Sequence, residues 1–397
     1  MSARHAASAL PRTVVVLGLV SLANDAASEM VTPLLPLFLT AALGAGPAIV
    51  GLVEGVAEAT ASVLKVVSGR LADRGLGAKR LVLAGYGASS VARPAIGLAL
   101  GWSFVLLLRF LDRVGKGLRT APRDALIAAA VPSASRGKAF GFHRAMDHAG
   151  AVIGPLLAFA LMSGGSDINE VFLWSILPGM VVMALIIGGL PADAPVALAP
   201  APTLNFRDLD PRLKGLVVAG GLLALSALPE AFMVLWAVEA GIQLAWIPLV
   251  WALASAVKMG IVLPAGYLSD RLGRIPVLVA GWAARIAVLV LLAVTDVSGA
   301  LAWALFVGYA ASLAINEAPE RSLVGDVAPA GLRGTAFGVY HFVSGLLALP
   351  GAVLLGWVWQ VQGPPKAFLL AAVLTAIAAL SMLALALPGR ATGAGEA

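Results

Sequence analysis

Long apolar stretches alternate with short polar connections along almost the whole chain. A bilayer core takes about 20 apolar residues per helix, and it leaves backbone N–H and C=O groups no partners outside a helix or a closed barrel. The stretches lack the two-residue alternation of a barrel strand, so they predict membrane-spanning helices. The pattern predicts twelve spans, at 13–40, 47–69, 80–100, 103–130, 138–162, 171–190, 214–240, 245–267, 276–296, 299–327, 334–360 and 366–387.

The composition also indicates that the chain is surrounded by a lipid bilayer. Hydrophobic residues make up 60% of the 397 residues, charged residues make up 12%, and the mean hydropathy is +0.94. A soluble protein of this composition could not cover its apolar surface with polar groups. The chain contains no cysteine, which excludes disulfides, thiolate metal ligands and cysteine nucleophiles. We therefore expect an all-α membrane protein.

The charge distribution predicts an orientation. Basic residues such as Arg70, Lys79 and Lys138 collect in the connections on one side of the predicted membrane, whereas Asp167 and Asp296 lie on the other side. Lys and Arg are enriched in cytoplasmic loops, so both termini are expected in the cytoplasm. The net charge of +6 then reflects membrane orientation, and no nucleic-acid partner is expected. The prediction is a monomeric, multi-pass protein of the inner (plasma) membrane.

An internal duplication divides the chain. Ala121 and Pro122 recur as Ala318 and Pro319, an offset of 197 positions (318 − 121 = 197) that is close to half the length. The connection at 191–213 is rich in Pro and Ala and lies at the midpoint. The predicted domains are therefore an N-terminal six-helix bundle at 1–190, a cytoplasmic linker at 191–213 and a C-terminal six-helix bundle at 214–397. Duplicated bundles of this kind are typical of transporters whose substrate site lies between the repeats.

A loop motif appears once in each half at the same offset. The two copies read GRLADRGLGAKR from Gly69 and GYLSDRLGR from Gly266. This resembles the G-x-x-x-D-R-x-G-R/K-R/K loop that follows the second helix of the major facilitator superfamily. The resemblance implies the major facilitator fold, with twelve helices in two pseudo-symmetric bundles, and a cytoplasmic latch at these loops. The implied gating residues are Gly69, Asp73, Arg74, Gly266, Asp270 and Arg271.

Two further segments are similar to motifs of the same family. Arg113 to Gly117 resembles R-x-x-Q-G of the fourth helix, with Lys116 in place of Gln. Gly150, Gly154 and Pro155 match the start of G-x-x-x-G-P-x-x-G-G, a fifth-helix motif of the exporters, although Ala158 and Phe159 replace its last two glycines. The resemblance implies a gating role for Gly150, Gly154 and Pro155 and favours export. A packing face of small residues with a proline kink is the alternative.

Ionisable and polar residues fall inside the predicted spans, where each charge costs several kcal/mol unless it faces a cavity and finds a partner. A carboxylate that is neutral when desolvated and ionised beside an arginine can take up and release a proton as its pairing changes. We expect Glu58 or Asp25 to carry the proton and Arg113 to tune it, although some pairs only hold helices together. The candidates for proton coupling or substrate binding are Asp25, Glu29, Glu54, Glu58, Arg109, Asp112, Arg113, Lys116, His143, Arg144, Asp147, His148, Glu230, Asn316 and Glu317.

The second half carries fewer charges, which predicts titration in the first half and apolar substrate contact in the second. Aromatic residues such as Phe232, Trp236 and Trp251 could line a cavity there, or they could anchor the protein in the lipid interface. His143, Asp147 and His148 lie within about one helical turn and suggest metal binding as an alternative to a proton relay. We predict no bound metal or cofactor for the protein itself.

The predicted function is secondary active transport by alternating access. The sequence has no G-x-x-x-x-G-K-[ST] loop for ATP, so the energy must come from a gradient. We expect proton-coupled efflux of a small organic or amphiphilic compound, with no enzymatic activity and no catalytic residues. The alternatives are a proton-coupled importer of a small solute or anion, an exporter of a metal ion or metal chelate, and a membrane receptor that transports nothing.

Overall fold

The computed structural model describes residues 10–73, 77–132, 135–191, 211–327 and 333–386, and the described residues contain helices and no strands. Ten segments in these ranges are long and apolar enough to cross a membrane. The prediction of an all-α membrane protein is confirmed.

The helices of the first half follow the predicted spans closely. A π-helical turn, Phe38–Ala42, follows α2 and continues the first span. Ser175 separates α7 from α8 within the sixth span, where its Oγ donates to the Phe172 carbonyl at 2.6 Å. The helices are α1 (Arg12–Val31), α2 (Leu35–Leu37), α3 (Pro47–Asp73), α4 (Ala78–Ala95), α5 (Trp102–Ala129), α6 (Arg136–Ser163), α7 (Ile168–Trp174) and α8 (Ile176–Gly189).

The second half continues the same pattern. Its first predicted span is formed by two helices, which are α9 and α10, and the others are formed by one long helix each. The helices are α9 (Pro211–Ser226), α10 (Glu230–Glu239), α11 (Ile247–Leu272), α12 (Arg274–Val294), α13 (Gly299–Val327), α14 (Arg333–Gln362) and α15 (Pro364–Ala386).

Two predicted spans are helices that do not belong to the ten strongly apolar segments. These are α4 and α5, and α5 carries both acidic and basic side chains along its length. Their charges and polar residues lower the mean hydropathy but do not interrupt the helices. These two helices carry much of the buried charge in the first half.

The duplication extends to the hydrophobic cores. Each half has a cluster of buried residues, and five positions of one cluster recur in the other at the offset of 197 seen in the motifs. The pairs are Val16 and Leu213, Val20 and Val217, Ile127 and Val324, Ala139 and Ala336, and Val182 and Ala379. The two halves therefore build their cores from equivalent helix faces.

The chain contacts define two compact units. The first unit comprises Met1–Gly46, Thr60–Pro202 and Ala237–Ala256. The second unit comprises Pro47–Ala59, Thr203–Trp236 and Val257–Ala397. The predicted bundles at 1–190 and 214–397 stay a prediction, and most of the linker at 191–213 lies outside the described residues.

Candidate functional site

Asp112 is the centre of a buried ionic cluster in the first unit. Its carboxylate is 1% exposed. Arg93 Nε lies 2.9 Å from Asp112 Oδ1, and the arginines of α5 lie close to Oδ2, with Arg113 Nε at 3.6 Å and Arg109 Nη1 at 3.7 Å. We call these four residues the Asp112 cluster. Asp112, Arg109 and Arg113 were predicted as candidates, whereas Arg93 on α4 was not.

Arg93 connects this cluster to α1. Its Nη1 donates to the backbone carbonyl of Asn24 at 3.1 Å and to the side-chain oxygen of Asn24 at 3.0 Å. The Asn24 amide then donates to Asp25 Oδ1 at 2.9 Å. A continuous series of hydrogen bonds and an ion pair therefore joins Asp25 to Asp112 across three helices.

Small residues let α4 and α5 approach closely enough for these contacts. A Cβ atom on Gly85 would lie 2.6 Å from the Gly115 carbonyl oxygen, so no larger side chain fits there without a shift. Ser89 Oγ donates to the Asp112 carbonyl at 3.1 Å and accepts from Arg119 Nη1 at 2.6 Å. The close packing places α4 side chains beside the charged face of α5.

A second cluster lies between α1 and α6. Ser21 Oγ donates to Asp147 Oδ1 and lies 3.0 Å from His143 Nε2, while His143 Nδ1 lies 3.5 Å from Asp147 Oδ2. Asp25 interacts electrostatically with Asp147, as well as with the positive charges of Lys116 and Arg119. We call Ser21, Asp25, His143 and Asp147 the α1–α6 cluster. It gathers two carboxylates and one imidazole in a small volume.

The glycines of the exporter-like motif position this cluster. A Cβ atom on Gly150 would lie 2.4 Å from the Leu22 carbonyl oxygen and 2.9 Å from Asp25 Cβ. A Cβ atom on Gly154 would lie 2.4 Å from the Ala26 carbonyl oxygen and 3.0 Å from Glu29 Cβ. These glycines therefore hold α6 directly against the face of α1 that carries both acidic residues.

The remaining candidates of the first half are less closely grouped. Glu29 Oε2 accepts a hydrogen bond from Trp251 Nε1 at 2.8 Å. Arg144 is exposed and lies 3.7 Å from Asp147 Oδ2, and Pro155 is buried within α6. Glu58, the other residue predicted as the proton carrier, is exposed on α3. Glu54, Lys116 and His148 are half-buried.

The second unit contains a cavity of about 420 Å³. Lys258 Nζ donates to both oxygens of Glu230, at 2.8 and 3.1 Å, and Arg321 Nη2 lies 2.9 Å from Glu317 Oε1. The cavity is therefore richly charged, which was not expected for the half with fewer charges. Its charged and hydrogen-bonding side chains are those of Glu230, Lys258, Trp282, Arg285, Asn316, Glu317, Glu320, Arg321, Tyr340, His341 and Ser344.

Asn316 links this cavity to α12. In the amide orientation that satisfies both of its polar atoms, Asn316 donates to the Leu278 carbonyl and accepts from the Trp282 indole N–H, each at 3.1 Å. Asn316 and Arg119 are 197 positions apart, and each of them bonds to the preceding long helix of its half. The equivalent helix pairs of the two halves are therefore joined by polar contacts at equivalent positions.

Phe232, Trp236 and Trp251, the aromatic residues expected at a cavity, make other contacts. Phe232 and Trp236 are 0% and 7% exposed and pack against the rings of Trp359 and Phe368. Trp251 donates to Glu29, as described above. Trp282, which the sequence did not single out, is the tryptophan that lines the cavity of the second unit.

The second copy of the loop motif forms an ionic network at the ends of three helices. Arg274 pairs with Asp270, and its Nε lies 3.1 Å from Asp326 Oδ2 at the end of α13. Gly273 has φ of 92°, a left-handed conformation that favours glycine at this turn. The Arg271 guanidinium lies 4.3 Å from the ring centroid of Tyr267. In the first copy, Gly69 and Asp73 belong to α3, and Arg74 lies outside the described residues.

In the part of the chain that the structure describes, no group of three or more His, Cys, Asp or Glu residues could hold a metal ion. His143 and Asp147 contact each other and Ser21, while the side chain of His148, the third residue of the predicted metal pattern, is half-buried.

Comparisons with known proteins agree with this architecture. An uncharacterized MFS-type transporter of Methanocaldococcus jannaschii is 30% identical over 381 residues, which is 94% of this chain and 95% of that protein. The multidrug resistance protein MdtH of Enterobacter sp. (strain 638) is 30% identical over only 133 residues, which is 34% of this chain and 33% of MdtH. The crystal structure of the nucleoside transporter NupG superposes with a TM-score of 0.76 at 13% identity and covers 94% of this chain and 98% of NupG.

The sequence model of the Major Facilitator Superfamily matches residues 17–352 and 261–396, which together span most of the chain. The full-length relative at 30% identity carries the same family assignment. The chain therefore belongs to the Major Facilitator Superfamily and is a membrane transporter.

Proposed function

We propose that this transporter exports a small organic or amphiphilic compound in exchange for protons, by alternating access. The observation that carries the proposal is the α1–α6 cluster, in which Asp25 and Asp147 interact with each other beside His143. Ionisable side chains within membrane helices are costly, and they mark ion and proton pathways. We propose that these two carboxylates take up and release the exchanged proton.

The contacts of Asp25 suggest how a proton would be coupled to a helix movement. When Asp25 is ionised, it accepts from Asn24, which in turn accepts from Arg93 of the Asp112 cluster. A proton on Asp25 weakens this series of hydrogen bonds, because a neutral carboxyl group is a poorer acceptor than a carboxylate. The proton thus changes the strength of the connection between α1, α4 and α5.

The direction of transport rests on two observations. Gly150 and Gly154, which match the exporter-like motif, pack α6 against the acidic face of α1. The partial relative MdtH is named a multidrug resistance protein. Both favour export over import. We further propose that the protein is a monomer in the inner (plasma) membrane with both termini in the cytoplasm, as the distribution of Lys and Arg indicates.

The experiment that tests this function uses purified protein in liposomes that enclose a pH-sensitive dye. Matched naphthalene derivatives with an anionic, a neutral and a cationic group are added outside, without an initial pH gradient. Antiport predicts that entry of a transported compound makes the lumen more alkaline, because protons leave in exchange. Asp25→Asn and Asp147→Asn are expected to abolish the pH change, and protein-free liposomes correct for passive permeation.

The sign of the pH change separates the two main candidates. A lumen that becomes more acidic through the protein would identify a symporter and so favour the import alternative. A pH change of wild-type size in both aspartate variants would remove the α1–α6 cluster from proton coupling.

A further inference from the structure

The cavity of the second unit contains a buried cation that the neighbouring acidic residues do not neutralise directly. We propose that this cavity binds the carboxylate of an amphiphilic substrate, and that Arg285 is the residue that holds it. The inference rests on the transport function proposed above and names the substrate class of that function.

Arg285 is 6% exposed and lies on α12. Its Nη2 donates to the Ser226 carbonyl at 3.1 Å, the Tyr309 side chain is a second hydrogen-bonding neighbour, and its Nε has no hydrogen-bond partner. None of the ion pairs in the described part of the chain involves Arg285. A buried guanidinium that keeps an unused donor is poised to bind an anion that reaches the cavity.

The other charges of the cavity are already matched by partners. Lys258 is bonded to both oxygens of Glu230, and Arg321 is paired with Glu317. Glu320 accepts from the Tyr340 hydroxyl and interacts electrostatically with Arg285 without forming an ion pair with it. Glu320 therefore balances the charge of Arg285 from a distance and leaves its Nε donor available.

This arrangement favours a monoanion with an apolar body. A carboxylate can accept two parallel N–H bonds from one guanidinium, and the single charge of Arg285 matches a carboxylate better than a dianionic phosphate. Leu223, Ala227 and Leu313 line the same cavity and can contact the apolar part of such a ligand. The volume of about 420 Å³ falls within the range of about 300–1,000 Å³ found for small-molecule sites.

A cationic substrate finds a less suitable site here. It would depend on Glu320, since the other two acidic residues are paired, and one Glu320 oxygen already accepts from Tyr340. The same cation would also be repelled by Arg285. The described charges therefore select against cations as well as for anions.

The test measures binding by calorimetry on the full-length protein in detergent at neutral pH. The ligands are 2-naphthoate, 4-phenylbenzoate and 1-pyrenebutyrate, each compared with its neutral amide, and 2-naphthylmethylammonium as the cation. Wild-type protein is expected to bind at least one carboxylate at least about tenfold more tightly than its amide, which is the loss expected for a charge-assisted contact.

Four variants test which residue causes the preference for a carboxylate over its amide. Arg285→Gln is expected to remove it, whereas Arg285→Lys keeps part of it because the charge remains. Glu320→Gln is expected to tighten carboxylate binding several-fold, since it removes a competing negative charge. Lys366→Gln removes one positive charge from an exposed position of the same half and is expected to leave the preference unchanged.

Three results would overturn the inference: no carboxylate preference in the wild type, tighter binding of the cation, or an unchanged preference in Arg285→Gln. The wild-type comparison needs no variant, so the proposal can still be refuted if Arg285→Gln does not fold. If Arg285 governs carboxylate binding but no compound moves protons in liposomes, this site stands and proton exchange fails. If compounds move protons while Arg285→Gln binds all ligands unchanged, proton exchange stands and the carboxylate site at Arg285 fails.

Discussion

Arg93 Nε lies 2.9 Å from Asp112 Oδ1, and the same guanidinium donates to Asn24. One side chain of α4 therefore bonds to both α1 and α5. Its partner carboxylate is almost fully buried beside Arg109 and Arg113 as well, so the Asp112 cluster contains more positive than negative charge. The only carboxylate of such a cluster is expected to be essential for stability.

We predict that Asp112→Asn destabilises the protein strongly, because it leaves buried arginines without their carboxylate. Removing one partner of a buried ion pair typically costs about 3–5 kcal/mol of the free energy of unfolding. The measurement is thermal unfolding of the purified protein. Arg144→Gln serves as the control, since its side chain is 55% exposed and lies 3.7 Å from Asp147; a shift as large as that of Asp112→Asn would contradict the account.

The packing of α1 against α6 gives a second prediction. Gly154→Ala places a methyl group where the Ala26 carbonyl oxygen would be 2.4 Å away, so the helices must separate. We expect a loss of about 1–3 kcal/mol in the free energy of unfolding, typical of overpacking, together with reduced transport. Gly141→Ala on the same helix meets nothing within 4 Å and should behave as the wild type in both assays. Equal effects of the two substitutions would refute the packing argument.

The latch predicted at the second copy of the loop motif gives a third prediction. Asp270 and Asp326 are 64% and 57% exposed, and exposed ion pairs contribute at most about 1 kcal/mol to stability. Asp270→Asn should therefore leave the melting temperature nearly unchanged. If the network acts as a latch in the transport cycle, turnover should still fall at least tenfold, while Asp296→Asn, an exposed carboxylate elsewhere in the half, should retain it. Normal turnover in Asp270→Asn would leave the network a structural contact only.

The absence of native cysteines makes the predicted orientation directly testable. Ser298→Cys and Lys138→Cys introduce thiols at exposed positions on opposite sides of the predicted membrane. A membrane-impermeant maleimide should label Ser298→Cys in intact cells and Lys138→Cys only after the membrane is permeabilised. The reverse pattern would place both termini outside the cell.

The sequence predicted the helical fold because apolar length and the absence of strand alternation are local properties. The repeat was also visible in the sequence, because equivalent residues keep a constant spacing of 197 positions. The structure adds that pairs such as Val20 and Val217, or Ala139 and Ala336, are buried in both halves. The division of the sixth span at Ser175 was not predicted. It depends on a local hydrogen bond to Phe172 that composition does not reveal.

The candidate site was only partly predictable, because helical spacing identifies neighbours on one helix but not the partners on another. Asp112, Arg109 and Arg113 could be grouped from their spacing on α5, whereas Arg93 reaches them from α4. Asp25 and Asp147 were both named, but their proximity depends on Gly150 and Gly154, which bring two helices together. These glycines were recognised by their resemblance to a motif rather than by this contact.

The cavity of the second unit was missed for a related reason. Lys258 and Arg285 are single charges in apolar stretches on different helices, and Tyr340 carries no signal in its own apolar stretch. Folding brings α10, α11, α12, α13 and α14 together at one cavity, where Lys258 bonds to Glu230 and Tyr340 to Glu320. A low density of charge along the sequence therefore does not imply a low density in space.

The central claim, that the α1–α6 cluster carries the coupling proton, is tested most directly by comparing uphill accumulation with counterflow in liposomes. The compound is one that the wild type transports in the dye assay, and a pH gradient drives its accumulation. Asp25→Asn and Asp147→Asn are expected to lose uphill accumulation but to keep counterflow, which requires no net proton movement, while Glu58→Gln keeps both. Accumulation at the wild-type level in the two aspartate variants, or its loss in Glu58→Gln alone, would contradict the account.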